Sequence, residues 1–174
     1  DIHIVDQNNK TVNINNVEVR EQKLAKKYIK ENDKVLELGA RFGSVSCTIN
    51  RNLNNGENHI VVEPDKNVWE ALDKNKINNN ATFKIVKGVI SNNPLSLIHR
   101  GYGSNTVRND MSKIPYYTLN EIKQKYNIKF NVLVVDCEGC LENFFDENPS
   151  FYKDLRMIIF EKDYPKNCNY KKIE

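Results

Sequence analysis

Hydrophobic positions fall into five short segments along the chain, each bounded by polar or glycine-containing stretches. These segments cover residues 34–38, 60–63, 82–86, 130–135 and 157–160. Strands that are buried on both faces of a parallel sheet have this nearly continuous hydrophobicity. Stretches with helical spacing of apolar residues lie between them, at 43–53, 67–77, 119–126 and 141–145. The alternation predicts an α/β fold, with a mostly parallel central sheet flanked by helices and joined by right-handed crossovers.

The length of the chain fits a single domain, residues 1–174. Residues 1–30 first alternate apolar and polar positions and then show amphipathic spacing, which predicts an N-terminal hairpin followed by a helix. Residues 31–163 form the predicted core. Within it, residues 91–115 are rich in Gly, Ser and Asn, and we expect an irregular insertion there, with room for one short hairpin.

The C-terminal part of the core is short. Only fourteen residues follow Phe160, too few for another strand–helix–strand unit. We therefore expect the last strands of such a fold to be missing, which leaves one sheet edge bare. A second copy of the chain would cover that edge in a homo-oligomer, unless the protein continues beyond this sequence.

Composition and charge narrow the classes of partner. The formal net charge of +3 comes from lysines scattered along the chain, so it does not favour nucleic acid as a partner. No apolar run is long enough to span a bilayer, and residues 1–10 lack the pattern of a signal peptide, so no membrane partner is expected. Four irregularly spaced cysteines predict no disulfide framework, which favours a reducing, cytoplasmic location.

A glycine-containing turn follows the first core strand, in the segment Glu37-Leu38-Gly39-Ala40-Arg41-Phe42-Gly43. Gly39 permits a tight turn, and Gly43 permits close approach of the backbone to a ligand or of the helix to the strand. Glu37 is a candidate acceptor for a cationic or N–H-bearing ligand group. Taken alone, the segment fits a ligand-binding turn and a turn without a ligand equally well.

An acidic residue closes the second core strand, in the segment Val61-Val62-Glu63-Pro64. In dinucleotide-type folds such a residue accepts hydrogen bonds from ribose hydroxyls, roughly 20 residues after the glycine-rich turn, and Glu63 has this spacing. Its alternative role is that of an acidic residue near a helix N-terminus. The nicotinamide fingerprint is not matched, because Ser46 stands near the place of its third glycine.

Acidic residues also follow the last two core strands. Asp136 and Glu138 come after residues 130–135, and Glu161 and Asp163 come after the final strand. In open α/β sheets, ligands bind outside the carboxyl ends of the strands, where the strand order reverses. We therefore expect these acids to converge on one crevice together with the glycine turn.

Together these segments resemble the FkbM family of methyltransferases. The likeness spans about residues 32–163 and follows the order of that family's motifs. The motifs are the glycine turn at 37–43, Val62-Glu63-Pro64-Asp65, Thr118-Leu119-Asn120-Glu121-Ile122, Asp136-Cys137-Glu138-Gly139 and Ile159-Phe160-Glu161. The resemblance implies a Rossmann-like class I methyltransferase fold and the cofactor S-adenosylmethionine (SAM).

The resemblance also implies a cofactor site and an acceptor. Glu37 and Gly39 would lie by the methionine and ribose, Glu63 would hold the ribose hydroxyls, and Gly88 with Val89 would contact the adenine. Family members mostly methylate hydroxyl oxygens, often on sugars, so a small-molecule or glycan hydroxyl is the expected acceptor, in a site built partly by the insertion. The implied cofactor-binding residues are Glu37, Gly39, Ala40, Arg41, Phe42, Gly43, Glu63, Pro64, Gly88, Val89 and Asp136.

A hydroxyl is a poor nucleophile until its proton is removed, which requires a base or a metal ion. The candidate catalytic residues are Asp136 first, then His99, with Glu138 as a further carboxylate. Mg²⁺ is the alternative, because it prefers hard oxygen ligands and would lower the pKa of the hydroxyl. Its candidate ligands are Asp136, Glu138, Glu161 and Asp163.

The pair Cys137 and Cys140 and the two remaining histidines, His3 and His59, are expected to have no catalytic role. Cys137 and Cys140 have C-x-x-C spacing, but a zinc or redox role would require a second pair or a histidine in register, so two buried thiols are expected. His3 and His59 are expected at the surface or at a strand edge.

Two other functions remain open from the sequence. One is methylation of RNA or another macromolecule, which would require a basic face beside the crevice. The other is a non-catalytic SAM-binding domain that pairs with a partner subunit. A nicotinamide oxidoreductase is disfavoured by the missing third glycine.

Overall fold

The computed structural model describes residues 1–100 and 103–174. Its central sheet has five strands, and each neighbouring pair is parallel. In spatial order they are β11 Met157–Phe160, β10 Val132–Val135, β3 Val35–Leu38, β4 His59–Glu63 and β5 Lys84–Lys87. The predicted α/β fold is confirmed, because every predicted core strand is present.

The three inner strands, β10, β3 and β4, are buried along their whole length. This two-sided burial is the reason for their continuous apolar runs. Starting from β3, the next core strands β4 and β5 are added on one side of it. The later strands β10 and β11 are added on its other side, so the strand order reverses between β3 and β10. Val135, Leu38 and Val62 are register neighbours, which places the carboxyl ends of β10, β3 and β4 side by side.

Helices cover both faces of the sheet, which gives three layers. Alternate residues of β3 face opposite sides: Val35 packs with Ala25 and Val45, whereas Leu36 packs with Ile122 and Phe144. Side chains from the first three helices thus cover one face, and those from the next two cover the other. The helices are α1 Val19–Tyr28, α2 Ser44–Asn52, α3 Trp69–Asn78, α4 Leu119–Tyr126 and α5 Leu141–Glu147.

The N-terminal hairpin is present and is held on α3 by the side chains of Asn75 and Asn79, of which Asn79 pairs with the backbone of His3. Its strands, β1 Ile4–Val5 and β2 Thr11–Val12, pair antiparallel. The Asn75 side chain accepts the N–H of Val5 at 2.9 Å and donates to its carbonyl at 2.8 Å, completing a strand-like pairing. Ile4 is almost fully buried in the core beside α3, so the hairpin closes that end of the hydrophobic core.

The insertion contains the one hairpin that the sequence allowed for. Strands β7 Leu95–Arg100 and β8 Gly103–Arg108 pair antiparallel. At its base, β6 Val89–Ile90 pairs in parallel with β9 Tyr116–Tyr117. The β8 end of the hairpin lies over the carboxyl ends of the sheet strands, where it helps to line the crevice described below.

The chain ends with a short helix, α6 Tyr170–Ile173, close to the end of β11. The Tyr170 ring stacks on Phe160, with ring centroids 5.7 Å apart. Within the described residues β11 pairs only with β10, so its outer edge is unpaired within this chain. None of the described helices is long and apolar enough to cross a membrane.

Candidate functional site

A crevice of about 90 Å³ opens where the strand order reverses, at the carboxyl ends of β3, β4 and β10. Its wall on the other side is β8, through Gly103, Ser104 and Thr106. Residues that are distant in sequence therefore meet here. The predicted site residues that line it are Gly39, Ala40, Arg41, Glu63, Pro64, Asp136 and Glu138.

Gly39 lies at the closest approach of two strand ends. Its N–H donates to the Val62 carbonyl at 2.9 Å, and the Asp136 N–H donates to the Leu38 carbonyl at 2.9 Å. A Cβ at Gly39 would lie 1.9 Å from the carbonyl oxygen of Asp136, and the residue has a φ of +83°. Only glycine fits this combination of left-handed backbone and close contact. The turn thus locks Asp136 beside the glycine loop.

The Glu63 carboxylate accepts hydrogen bonds from the backbone of the glycine loop. One oxygen accepts the N–H groups of Ala40 at 3.0 Å and Arg41 at 2.8 Å, and the other accepts the N–H of Asp65 at 2.8 Å. Burial raises the pKa of Glu63, while the three backbone hydrogen bonds oppose this rise. An ionised carboxylate offers about four acceptor positions, so one is left for a ligand hydroxyl.

Glu37 lies beneath the loop and does not line the crevice in this structure. It is buried, accepts the Ser46 hydroxyl at 2.9 Å, and lies 2.7 Å from His59 Nε2. The prediction that His59 is at the surface or a strand edge is therefore wrong, because it is fully buried beside Glu37. Ser46, which stands in the place of a third glycine, belongs to the same buried network.

Other predicted cofactor residues have structural contacts and lie outside the crevice lining. Phe42 is buried in the core between the sheet and α3, and its carbonyl accepts the Asn75 side chain at 2.8 Å. Gly43 begins α2. Gly88 and Val89 lie against Pro115, whose carbonyl accepts the Val89 N–H at 2.9 Å.

His99, the second candidate base, lies on β7 at the mouth of the crevice. Its Nδ1 is 3.8 Å from a carboxylate oxygen of Asp65, which lines the crevice. The His99 side chain is 56% exposed. It does not line the crevice itself, so the structure places it farther from the strand ends than Asp136.

Three acids gather around the end of β10. The carboxylates of Asp136, Glu161 and Asp163 offer oxygens within 4.8 Å of one another. Glu138, the remaining predicted Mg²⁺ ligand, is not part of this group. Asp163 also accepts the Tyr170 hydroxyl at 2.8 Å. The structure therefore brings three of the four predicted ligands together.

Glu18 is a crevice residue that the sequence did not indicate. It precedes α1 with a left-handed φ of 49°, accepts the Ser44 hydroxyl, and lines the crevice beside Asp136. Burial, followed in importance by the charges of nearby acids, raises the pKa of Asp136 to about 8. Burial also raises the pKa of Glu18 to about 7, against the opposing Ser44 hydrogen bond. A lone glutamate before a helix has no spacing signal, which explains the omission.

Glu138 projects into the crevice from the loop between β10 and α5. Its Oε2 is buried and has no hydrogen-bond partner among the described residues. A Cβ at Gly103 would lie only 1.3 Å from Glu138 Oε1, so the hairpin backbone rests directly on this carboxylate. Glu138 itself has a left-handed φ of 53°. The side chain therefore takes up space at the centre of the site.

Cys137 and Cys140 form a disulfide, so the prediction of two thiols is wrong. The positive φ angles of Glu138 and Gly139 turn the chain back and bring the two Cα atoms within 5.5 Å, a distance that disulfides bridge. Spacing alone could not show this turn. Cys47 and Cys168 are free and buried.

We expect the free energy of unfolding to fall as the pH rises from about 5 to about 8. The folded chain keeps protons on Glu18 up to about pH 7 and on Asp136 up to about pH 8, whereas the ordinary pKa values of a glutamate and an aspartate are 4.5 and 3.8. The folded state then binds more protons than the unfolded state, and stability declines by up to about 1.4 kcal/mol per pH unit for each proton.

Urea denaturation across this pH range measures the slope. The double variant Glu18→Gln/Asp136→Asn, which cannot titrate at these positions, should show a shallower slope than the wild type. Asp73→Asn, which replaces an exposed carboxylate beside Lys87, is the control and should keep the wild-type slope. An unchanged slope in the double variant would contradict the raised pKa values.

Comparison with solved structures supports the Rossmann-like α/β fold. A dimethyladenosine transferase from Plasmodium falciparum aligns with a TM-score of 0.50 and 13% identity, over 92% of this chain and 44% of that chain. An O-methyltransferase from Bacillus cereus in complex with SAH gives a TM-score of 0.49 and 17% identity, over 81% of this chain and 53% of that chain. The chain thus spans about half the length of these proteins.

No protein-family model and no curated protein matches the sequence. The resemblance to the FkbM family therefore stays a prediction, as do the identity of the acceptor and the roles of the site residues.

Proposed function

We propose that this protein is a SAM-dependent O-methyltransferase that acts on a hydroxyl group of a sugar, nucleotide-sugar or glycan. The observation that carries the proposal is the convergence of Gly39, Glu63 and Asp136 on one crevice at the reversal of strand order. This is where open α/β sheets bind their ligands. The fold agrees with the proposal but does not by itself determine an activity.

The chemistry of the crevice fits the cofactor. Glu63 keeps one acceptor position, which suits a ribose hydroxyl. Glu18 and Asp136 bring carboxyl groups to a site that would take a cationic sulfonium. When bound, SAM would supply a methyl group that is already activated for transfer. The crevice is smaller than the roughly 300–1,000 Å³ usual for ligand pockets, so Glu138 or the hairpin must withdraw for the cofactor to enter.

Asp136 is the residue we assign as the general base. It lines the crevice, and it is locked in place through its backbone bond to Leu38 and its contact with Gly39. A pKa of about 8 makes its carboxylate a stronger proton acceptor than an ordinary aspartate, at the cost of being mostly protonated at pH 7. Methyl transfer should therefore accelerate as the pH rises towards 8.

The acceptor site that we propose is a groove of about 280 Å³ between the β7–β8 hairpin and α5. Thr106 lines both this groove and the crevice, so the two cavities adjoin. Hydroxyl, amide and carboxylate groups line the groove beside Phe144, a composition that suits a polyol. Its polar lining residues are Ser91, Asn93, Thr106, Arg108, Asn143, Asp146 and Glu147.

Mg²⁺ held by Asp136, Glu161 and Asp163 is the alternative means of lowering the pKa of the acceptor hydroxyl. The two mechanisms differ in one measurable respect. Activity that survives thorough chelation supports Asp136 as a base that acts without metal, whereas activity restored only by Mg²⁺ supports the metal.

Calorimetric titration with SAH and transfer of labelled methyl from SAM test the proposal. The assays should be run with and without dithiothreitol, with sugars, nucleotide-sugars and RNA as acceptors. We expect SAH binding and transfer to a sugar hydroxyl. Transfer to RNA alone would favour the macromolecular alternative, and binding without transfer would favour a non-catalytic subunit. Absence of SAH binding under both conditions would refute the proposal.

A further inference from the structure

The disulfide between Cys137 and Cys140 encloses only two residues, Glu138 and Gly139, in the loop that joins β10 to α5. Both of these residues have positive φ, at 53° and 95°. A side chain on such a short bridged segment has little freedom to swing away. The bridge therefore fixes the direction in which Glu138 projects.

Glu138 projects into the space that the cofactor would need. It lines the crevice, its Oε2 is buried without a hydrogen-bond partner among the described residues, and the backbone of Gly103 rests on its Oε1. A buried acceptor without a hydrogen bond destabilises the folded protein. The noncovalent contacts of the Glu138 side chain therefore do not explain why it stays in this position. The covalent bridge on either side of it holds it there.

The two sulfur atoms belong to residues that line separate cavities. Cys137 lines the crevice, and Cys140 lines the groove between the hairpin and α5. Both residues are half-buried, whereas Cys47 and Cys168 are buried. A small thiol has two open approaches to the bridge, and only this pair of cysteines lies at the site.

The surrounding charges argue against a role for this pair in repeated disulfide exchange with substrates. Asp136 and Glu138 flank Cys137 in the chain and line the same crevice, and a carboxylate beside a cysteine disfavours the thiolate that such catalysis requires. A bridge that forms and breaks slowly suits a switch of the site better than a turnover centre.

We propose that the Cys137–Cys140 disulfide is a redox gate on the cofactor crevice. In the oxidised chain the bridge holds Glu138 in the crevice and weakens SAM binding. In the reduced chain the loop relaxes, Glu138 leaves the crevice, and the cofactor enters. The gate rests on the proposed function, because it regulates that same site.

The chemistry of the gate is thiol–disulfide exchange with a dithiol. A thiolate of the dithiol attacks one sulfur of the bridge, a mixed disulfide forms, and the second cysteine leaves as a thiolate that takes up a proton. The other thiol of the dithiol then attacks the mixed disulfide and releases the first cysteine. Two electrons and two protons pass to Cys137 and Cys140, and the dithiol leaves as a cyclic disulfide. Glutathione disulfide reverses the exchange.

The test measures SAH affinity by calorimetry on the oxidised protein and on the protein reduced with dithiothreitol, with the bridge followed by mass spectrometry after thiol alkylation. We expect reduction to lower the apparent Kd at least about tenfold, because the fraction of open crevice rises. Treatment with glutathione disulfide should restore the weaker binding. Neither step requires a variant to fold.

Variants separate the gate from other effects of reduction. Cys137→Ser/Cys140→Ser and Glu138→Ala should bind SAH as tightly as the reduced wild type, with or without dithiothreitol. Glu138→Gln keeps the bulk of the side chain and should keep the response, as should Cys168→Ala, which leaves the bridge intact. If the oxidised and reduced wild type bind SAH equally, the gate is refuted while the proposed function stands. If no form binds SAH, including Glu138→Ala, the proposed function fails and the gate falls with it.

Discussion

Replacement of Asp136 by asparagine should lower the turnover number by about 10²–10⁴-fold, the usual contribution of a general base. Asparagine has the same shape and keeps the backbone bond to Leu38, so the turn at Gly39 should remain intact. It cannot accept the hydroxyl proton. The affinity for SAH should stay within a few-fold of the wild type, since Asp136 is assigned to the reaction more than to the binding of the cofactor.

Initial rates of labelled methyl transfer at saturating SAM, on reduced protein, measure this effect. In the wild type the rate should rise with pH and level off above about 8, the pKa of Asp136. The residual rate of the variant should lack that inflection. Asp73→Asn is the matched control, because it makes the same change at an exposed carboxylate paired with Lys87. A normal rate in Asp136→Asn would exclude Asp136 as the base and direct attention to His99.

Replacement of Glu63 by alanine should weaken SAH binding by about 10- to 100-fold, the value of one hydrogen bond to a charged acceptor. The same change removes the acceptor of the Ala40, Arg41 and Asp65 N–H groups. Loss of these bonds should also lower the free energy of unfolding by about 2–5 kcal/mol. Both effects have one cause, because this carboxylate supports the glycine loop and, in the proposed function, also accepts the ribose hydroxyl.

Titration calorimetry with SAH, at a temperature below the thermal unfolding of the variant, measures the affinity of the folded protein. A weaker affinity is then not due to unfolding. Glu63→Gln keeps the length of the side chain and a carbonyl acceptor, so it should retain more stability than Glu63→Ala while still losing affinity. Glu57→Ala, at an exposed glutamate paired with Lys84, is the control and should change neither property. An unchanged affinity for SAH in folded Glu63→Ala would remove the ribose-binding assignment.

The order and type of the core elements could be predicted because local pattern encodes them. The helix predicted over residues 119–126 begins and ends at those residues, since Thr118 and Glu121 form a capping box at its start. Strand ends differ more from the prediction, and β5 begins at Lys84, two residues after its predicted start. Periodicity identifies the buried face of a strand but does not mark where its pairing stops.

The candidate site was only partly predictable. Glu63 ends one buried strand and Asp136 follows another, and a parallel sheet brings such positions to one edge whatever the details of packing. Glu37 is the second-last residue of a buried strand, yet its carboxylate is hydrogen-bonded by Ser46 and His59 inside the protein. Side chains on other helices and strands decide whether an acidic residue forms hydrogen bonds within the protein or stays available for a ligand.

The sequence by itself determined the α/β class, the element order and the convergence of acids and glycines on one edge of the sheet, because these follow from hydrophobic periodicity and from the geometry of parallel strands. Tertiary structure alone decided the placement of Glu18 beside Asp136, the disulfide between Cys137 and Cys140, and the position of Glu138 in the crevice. These features depend on backbone dihedral angles and on contacts between distant segments, neither of which leaves a periodic signal in the sequence.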